Sequence, residues 1–193
     1  ELRYLGQVKG GFIVNIVGLA AAGKSTLANK IAQYLNGIRL DVGNIYRLYA
    51  LAMLRTAADK PGLLDDLESM KAVIGQSQIN YRDGLFNIDG NPVEEQRLRF
   101  LDIENQLLKI RNYEEVKKLI NEKGWALIDT LAEDKPVILT NRGPYPGALI
   151  NLFLDVPVAE RARRSQRHFR EIDKDIAYDD VLRMVLRRDE GED

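Results

Sequence analysis

Hydrophobic residues along this chain fall into two alternating textures, short solid runs and longer stretches spaced three and four apart. Phe12–Val17, Ile38–Val42, Pro136–Asn141 and Leu149–Asp155 are the solid runs and predict buried strands. Helical spacing predicts helices over Thr26–Leu35, Gly43–Thr56, Leu64 to about Ile74, Val158–Ile172 and Tyr178–Arg188. Asp59-Lys-Pro-Gly62 separates the second and third of these. Strand and helix in turn imply an α/β fold with a parallel sheet covered by helices on both faces. Ligands of such sheets collect at the carboxyl ends of the strands, which draws attention to Asp41, Asn141 and Arg142.

A different pattern lies between the two halves. Gln78–Gly90 alternates apolar and polar residues around Asp83-Gly84, a hairpin signature. Charged amphipathic helices are predicted over Glu94–Lys109 and Tyr113–Lys123. This stretch, residues 75–125, reads as a small lobe inserted between core segments 1–74 and 126–193.

The first strand and first helix are joined by Gly18-Leu-Ala-Ala-Ala-Gly23-Lys24-Ser25, which satisfies the pattern G-x-x-x-x-G-K-[ST]. Such a turn presents backbone N–H groups and a helix N-terminus to an anion. The reading places Gly18, Ala20, Ala21, Ala22, Gly23, Lys24, Ser25 and Thr26 on ATP, with Lys24 on the β- and γ-phosphates and Ser25 on Mg²⁺. Methyl groups at Ala21 and Ala22 require those two residues to keep negative φ.

Composition narrows the setting. The 193 residues suffice for one core, and the absence of Cys excludes disulfides and thiolate metal sites and fits a reducing compartment. The balance of 28 Lys plus Arg against 29 Asp plus Glu gives no nucleic-acid signature. No apolar stretch approaches the roughly 18 residues of a membrane span, and no signal peptide is visible, so a soluble cytoplasmic protein is expected. His168 lies in a run of arginines without metal-ligand partners and reads as a solvated side chain.

Further residues carry a resemblance. Leu40-Asp-Val-Gly-Asn-Ile-Tyr-Arg-Leu-Tyr-Ala-Leu-Ala52 is similar to the L-D-T-G-x-x-Y-R-x-x-A-L-A segment of cytidylate kinases. Asp89–Val93 with Arg97-Leu-Arg99, and Lys109–Val116, resemble that family's N-G-x-x-V…I-R and K-I-A-x-x-P-E-V. Phe153–Arg164 resembles F-L-x-A-x-x-x-E-R-A-R-R, and Tyr178–Leu182 with Arg188-Asp189 resembles Y-E-x-V-L…R-D. The matches run in order over nearly the whole chain.

The resemblance implies a P-loop nucleoside monophosphate kinase, transferring phosphate from ATP to a pyrimidine nucleoside monophosphate with Mg²⁺. It further implies an inserted acceptor lobe, an Arg-rich lid at about 161–175, and a monomer that meets neither nucleic acid nor membrane. Lys24, Arg142, Arg164 and Arg188 take catalytic roles, and Asp41, Arg47, Arg99, Arg142 and Asp189 bind the acceptor. Arg161, Arg163, Arg164, Arg167 and Arg170 form the run that would close on ATP. For Asp41, helix capping is the alternative reading.

The chain departs from the family pattern at three places. D-G-R-D becomes Thr140-Asn141-Arg142-Gly143, with a shortened Pro144-Tyr-Pro146 after it. The family's Gln-Arg becomes Gly124-Trp125, and Asp193 comes before the last lid arginine, strand and helix. These departures leave two alternatives beside CMP/dCMP phosphorylation: a P-loop kinase for another small acceptor, or a non-catalytic nucleotide-binding module.

Overall fold

A computed structural model describes residues 8, 10–59, 62, 66–171 and 174–190. Strands β1 (Ile13–Gly18), β2 (Ile38–Asp41), β6 (Val137–Asn141) and β7 (Ile150–Leu154) form one parallel sheet in the order β2-β6-β1-β7. Both faces are covered. Val14, Ile16 and Ile138 pack on Ala28, Ile31 and Ala32 of α1 (Lys24–Leu35). Ile13, Leu40, Val137 and Leu139 point the other way, toward Ile45 and Leu48 of α2 (Val42–Asp59). Burial on both faces explains why these strands are solid apolar runs.

The middle of the chain builds a second, antiparallel sheet from β3 (Ile79–Arg82), β4 (Leu85–Ile88) and β5 (Asn91–Val93). The hairpin turn at Asp83-Gly84 has both residues at positive φ, as the sequence predicted. Helix α3 (Leu67–Gln76) precedes it, capped by the Asp66 carboxylate, which accepts from the Ser69 amide at 2.8 Å. The expected start of that helix at Leu64, and Lys60-Pro61, lie outside the described residues.

Two expectations change. The helix predicted over 94–109 is broken: Glu95–Arg99 is a 3-10 turn, Phe100 is extended, and α4 runs Leu101–Arg111. A continuous helix would place Leu98 and Ile103 about 140° apart, whereas the break lets both be buried. Helix α5 (Glu114–Leu131) continues past the predicted end at Lys123, burying Val116, Ile120, Gly124 and Ile128 at four-residue spacing. Gly124 does not stop it, because a methyl there would sit 3.0 Å from Ile45 Cγ2; the glycine marks close approach of α5 to α2. The boundary expected at residue 125 therefore falls within α5.

The chain closes with α6 (Val158–Glu171) and α7 (Tyr178–Glu190), packed through Ala162, Val181 and Val185. Ile172, the predicted end of the first, lies outside the described residues. Among the described residues, no helix is long and apolar enough to cross a membrane.

Candidate active site

The register of the main sheet brings three strand ends together. Asp41 of β2 and Ile16 of β1 both flank Thr140 of β6, and the Gly18–Ser25 turn leaves β1 at this edge. Gly23, the N-cap of α1, has φ 95°, a conformation that suits glycine. Ala21 contradicts the expectation of negative φ. It lies at φ 59°, left-handed, so its methyl is accommodated at a cost and the surroundings must hold it there. No acidic residue occupies the first turn of α1, so its positive end is uncompensated.

Lys24 folds back over this turn and donates to the carbonyls of Gly18 at 2.6 Å and Leu19 at 2.9 Å. Burial holds its amine below the ordinary lysine value, with Asp41 opposing that shift. From α6, Arg164 Nη1 reaches the Ala22 carbonyl at 3.3 Å and its Nε bonds Glu160 at 3.0 Å. Ser25 is exposed on the first turn of α1.

A cleft of about 640 Å³ opens from this edge, and Ala20, Lys24, Asp41, Arg47, Thr140 and Arg142 are among its lining residues. Arg99 of the 3-10 turn, Arg111 of α4 and Lys117, Asn121 and Trp125 of α5 line it as well. Six cationic side chains thus face one carboxylate among the lining residues, the field expected of a polyanion site.

Most of these charges are engaged. Arg47 donates to Glu104 through Nε at 3.0 Å and lies 3.0 Å away through Nη2. Arg99 lies 3.8 Å from Asp41 and 3.6 Å from Glu95, and Lys117 pairs with Glu114. Asp41 also accepts from the Gly43 amide at 2.9 Å, so it caps the turn into α2 while lining the cleft. Arg142 donates to the Arg188 carbonyl at 3.3 Å, and its own amide is held by Asn141 Oδ1 at 2.8 Å.

The shortened turn after β6 is pinned from the sheet. Asn15 Nδ2 donates to the Gly143 carbonyl at 3.1 Å and to Asn151 Oδ1 at 2.7 Å, and the Tyr145 amide donates to the same Asn151 oxygen at 2.9 Å. Tyr145 stacks against Trp125 with centroids 4.8 Å apart and donates its hydroxyl to Asp129 at 2.6 Å. Burial and that carboxylate push the phenol well above its ordinary value. Thr140 is 3% exposed and its hydroxyl has no partner.

A family model for cytidylate kinase matches residues 14–193. The chain belongs to the cytidylate kinase family. It is similar to the cytidylate kinase of Fusobacterium nucleatum, 30% identical over 181 residues that cover 92% of this chain and 79% of that one. To the cytidylate kinase of Aquifex aeolicus it is 28% identical over 184 residues, 91% and 78% of the two chains. The solved structure of TT1252 from Thermus thermophilus aligns over 95% of this chain and 81% of its own, with 19% identity and a TM-score of 0.46.

Against the sites that the cytidylate kinase resemblance implied, the cleft gathers Lys24, Asp41, Arg47, Arg99 and Arg142. Arg164 sits over the phosphate loop, and Arg188 meets Arg142 through its carbonyl. Asp189, expected on the acceptor, does not line the cleft; both its oxygens accept from Arg161. Arg161 is itself 3% exposed and so is not one of the solvent-facing cations of the run. Arg163, Arg170 and His168 are exposed. Sequence reasoning missed Glu104, Lys117 and Arg111, which meet the site only through tertiary packing; Glu104 is 57 residues from Arg47.

Mg²⁺ keeps several waters and takes few protein ligands beside phosphate oxygens. Ser25, exposed at the helix start, and Asp41, lining the same cleft as Lys24, supply hard oxygens that fit such an ion. Among the described residues, no cluster of three acidic or histidine side chains offers an all-protein cage.

Proposed function

We propose that this chain transfers the γ-phosphoryl group of ATP to a pyrimidine nucleoside monophosphate, CMP or dCMP foremost. The observation that carries the reading is that one cleft is lined both by Lys24 of the phosphate loop and by Arg47, Arg99 and Arg142. Donor and acceptor phosphates would meet there, in a family whose relatives bear the name cytidylate kinase.

ATP lies on Gly18–Thr26, with Lys24 leaving the Gly18 and Leu19 carbonyls for the β- and γ-phosphates. Ser25 and Asp41 would hold Mg²⁺, which supplies charge neutralisation of the phosphates when bound. The acceptor phosphate is gripped by Arg47, Arg99 and Arg142; the fork of a guanidinium suits two phosphate oxygens at once. One acceptor oxygen attacks the γ-phosphorus, the bond to the β-bridging oxygen breaks, and ADP leaves. No general base is needed, because a monophosphate oxygen is already anionic at neutral pH. Arg164 and Arg188 stabilise the charge that spreads over the transferred group. The chain acts as a monomer in the cytoplasm.

Trp125 and the Thr140–Gly143 turn favour a second reading, a kinase for another small acceptor, because an indole braced by Tyr145 lines the cleft together with that turn. The deciding measurement is MgATP turnover with CMP, dCMP, UMP, AMP and no acceptor. CMP- or dCMP-dependent ADP formation supports the first reading. Turnover on a different acceptor transfers the case to the second, and ATP binding without turnover on any acceptor leaves a nucleotide-binding module.

A further inference from the structure

Four of the five N–H donors of the Arg161 guanidinium are already engaged within the protein. Its Nε donates to the Val156 carbonyl at 3.0 Å, its Nη1 to the Ala20 carbonyl at 3.1 Å and Asp189 Oδ1 at 2.9 Å, and its Nη2 to Asp189 Oδ2 at 2.5 Å. Its side chain is 4% exposed and that of Asp189 is 16% exposed, so moving Arg161 onto a phosphate would strand a largely buried carboxylate. One of these bonds enters the phosphate loop. Two residues along, Arg164 Nη1 takes the Ala22 carbonyl. Between the two held carbonyls stands Ala21 at φ 59°. For an L-residue that conformation costs about 1–2 kcal/mol, so the loop's shape is imposed from outside it.

We propose that Asp189 and Arg161 are positioning residues for the phosphate loop: Asp189, near the end of α7, aims Arg161, whose Nη1 pins the Ala20 carbonyl and with it the amides that receive the nucleotide phosphates. The inference rests on the reading that this loop binds ATP. It couples the C-terminal helix to the nucleotide site through a single ion pair. It also removes Asp189 from the acceptor's contacts.

The sign of one substitution separates positioning from plain electrostatics. Asp189 lies within electrostatic reach of Lys24. If it acted only as a charge, Asp189→Asn would tighten MgATP binding, because a carboxylate near the phosphates is lost. If it positions the loop, the same change weakens binding by about tenfold, while the KM for the acceptor moves less than about twofold.

The experiment titrates MgATP into the full chain by calorimetry for the wild type, Asp189→Asn, Asp189→Glu, Arg161→Lys and Asp180→Asn. Asp189→Glu recovers part of the loss. Asp180→Asn, on the same helix and paired with Arg183, leaves affinity unchanged. Should Asp189→Asn lose its circular dichroism, Arg161→Lys carries the test, since an ammonium keeps the charge but cannot hold both carboxylate oxygens and the two carbonyls. Unchanged or tighter binding in the informative variant overturns the inference, as does an equal loss in Asp180→Asn. A wild type that binds no MgATP overturns the kinase reading itself and the inference with it.

Discussion

The two ends of the cleft are both cationic but are held in opposite ways. At the phosphate loop, Lys24 is held by the backbone carbonyls of Gly18 and Leu19, while Arg161 and Arg164 take the Ala20 and Ala22 carbonyls and have their charge met outside the cleft, by Asp189 and Glu160. At the acceptor end, the partners are carboxylates: Arg47 on Glu104, Arg99 between Asp41 and Glu95, Lys117 on Glu114. A carbonyl orients a cation without neutralising it, so Lys24 keeps its positive charge at the loop. A carboxylate cancels the charge it orients, so on the proposed reading an acceptor phosphate must displace or share Glu104 and Asp41 to gain its arginines. Affinity for the acceptor is thus a difference between two ion pairs, and it is the end of the cleft that small changes retune.

The largest effect expected is at the loop. Lys24→Ala lowers kcat/KM by about a hundredfold or more, because a preorganised cation aimed at developing charge is removed. Steady-state turnover with saturating MgATP checks it, and unchanged turnover would mean that the loop is not the donor site. Next comes Arg47→Ala, which raises the acceptor KM by about tenfold and moves the ATP KM less than about twofold; equal shifts in both would erase the contrast between the ends. Glu104→Gln sharpens that contrast, since it releases Arg47 and lowers the acceptor KM by about threefold. A rise instead would show that Glu104 aims Arg47 more than it competes for it.

The contrast also explains what was legible beforehand. The loop and its helix are contiguous, so eight residues from Gly18 to Ser25 announced the site, and the parallel sheet followed from strands buried on both faces. The acceptor end is assembled from α2, the 3-10 turn, α4 and α5, whose contacts no local pattern encodes. Arg47 was found through its place in a segment resembling a known one; Glu104, which pairs with it, carried no signal. Arg161 and Asp189 misled for a related reason. Each has the composition of a solvated cation or a ligand-binding acid, and only packing of α6 on α7 turns them into a buried pair. The helix expected to end at Lys123 runs on through Gly124, which is a point of contact with α2 inside it.

The smallest effect tests whether the loop's shape is imposed from outside. Ala21→Gly relieves a left-handed alanine, a gain of about 1–2 kcal/mol, against an entropic cost of about 0.5–1 kcal/mol for the freer unfolded chain. The net is a stabilisation of about 0.5 kcal/mol, or roughly 1–2 °C in Tm for a chain of this size. Ala22→Gly, one residue on, has the opposite sign. Ala22 is buried, is absent from the positive-φ residues, and packs its methyl beside Gly18, so the change loses contact and gains no relief; about 1 kcal/mol of stability goes with it. Differential scanning calorimetry of the two variants reads the pair directly. If Ala21→Gly raises Tm and leaves MgATP affinity within about twofold, Arg161 and Arg164 hold the turn whether or not its own residue prefers it. If affinity falls with the methyl, the strain at Ala21 is itself part of how the loop is shaped, and the carbonyl contacts alone do not set it.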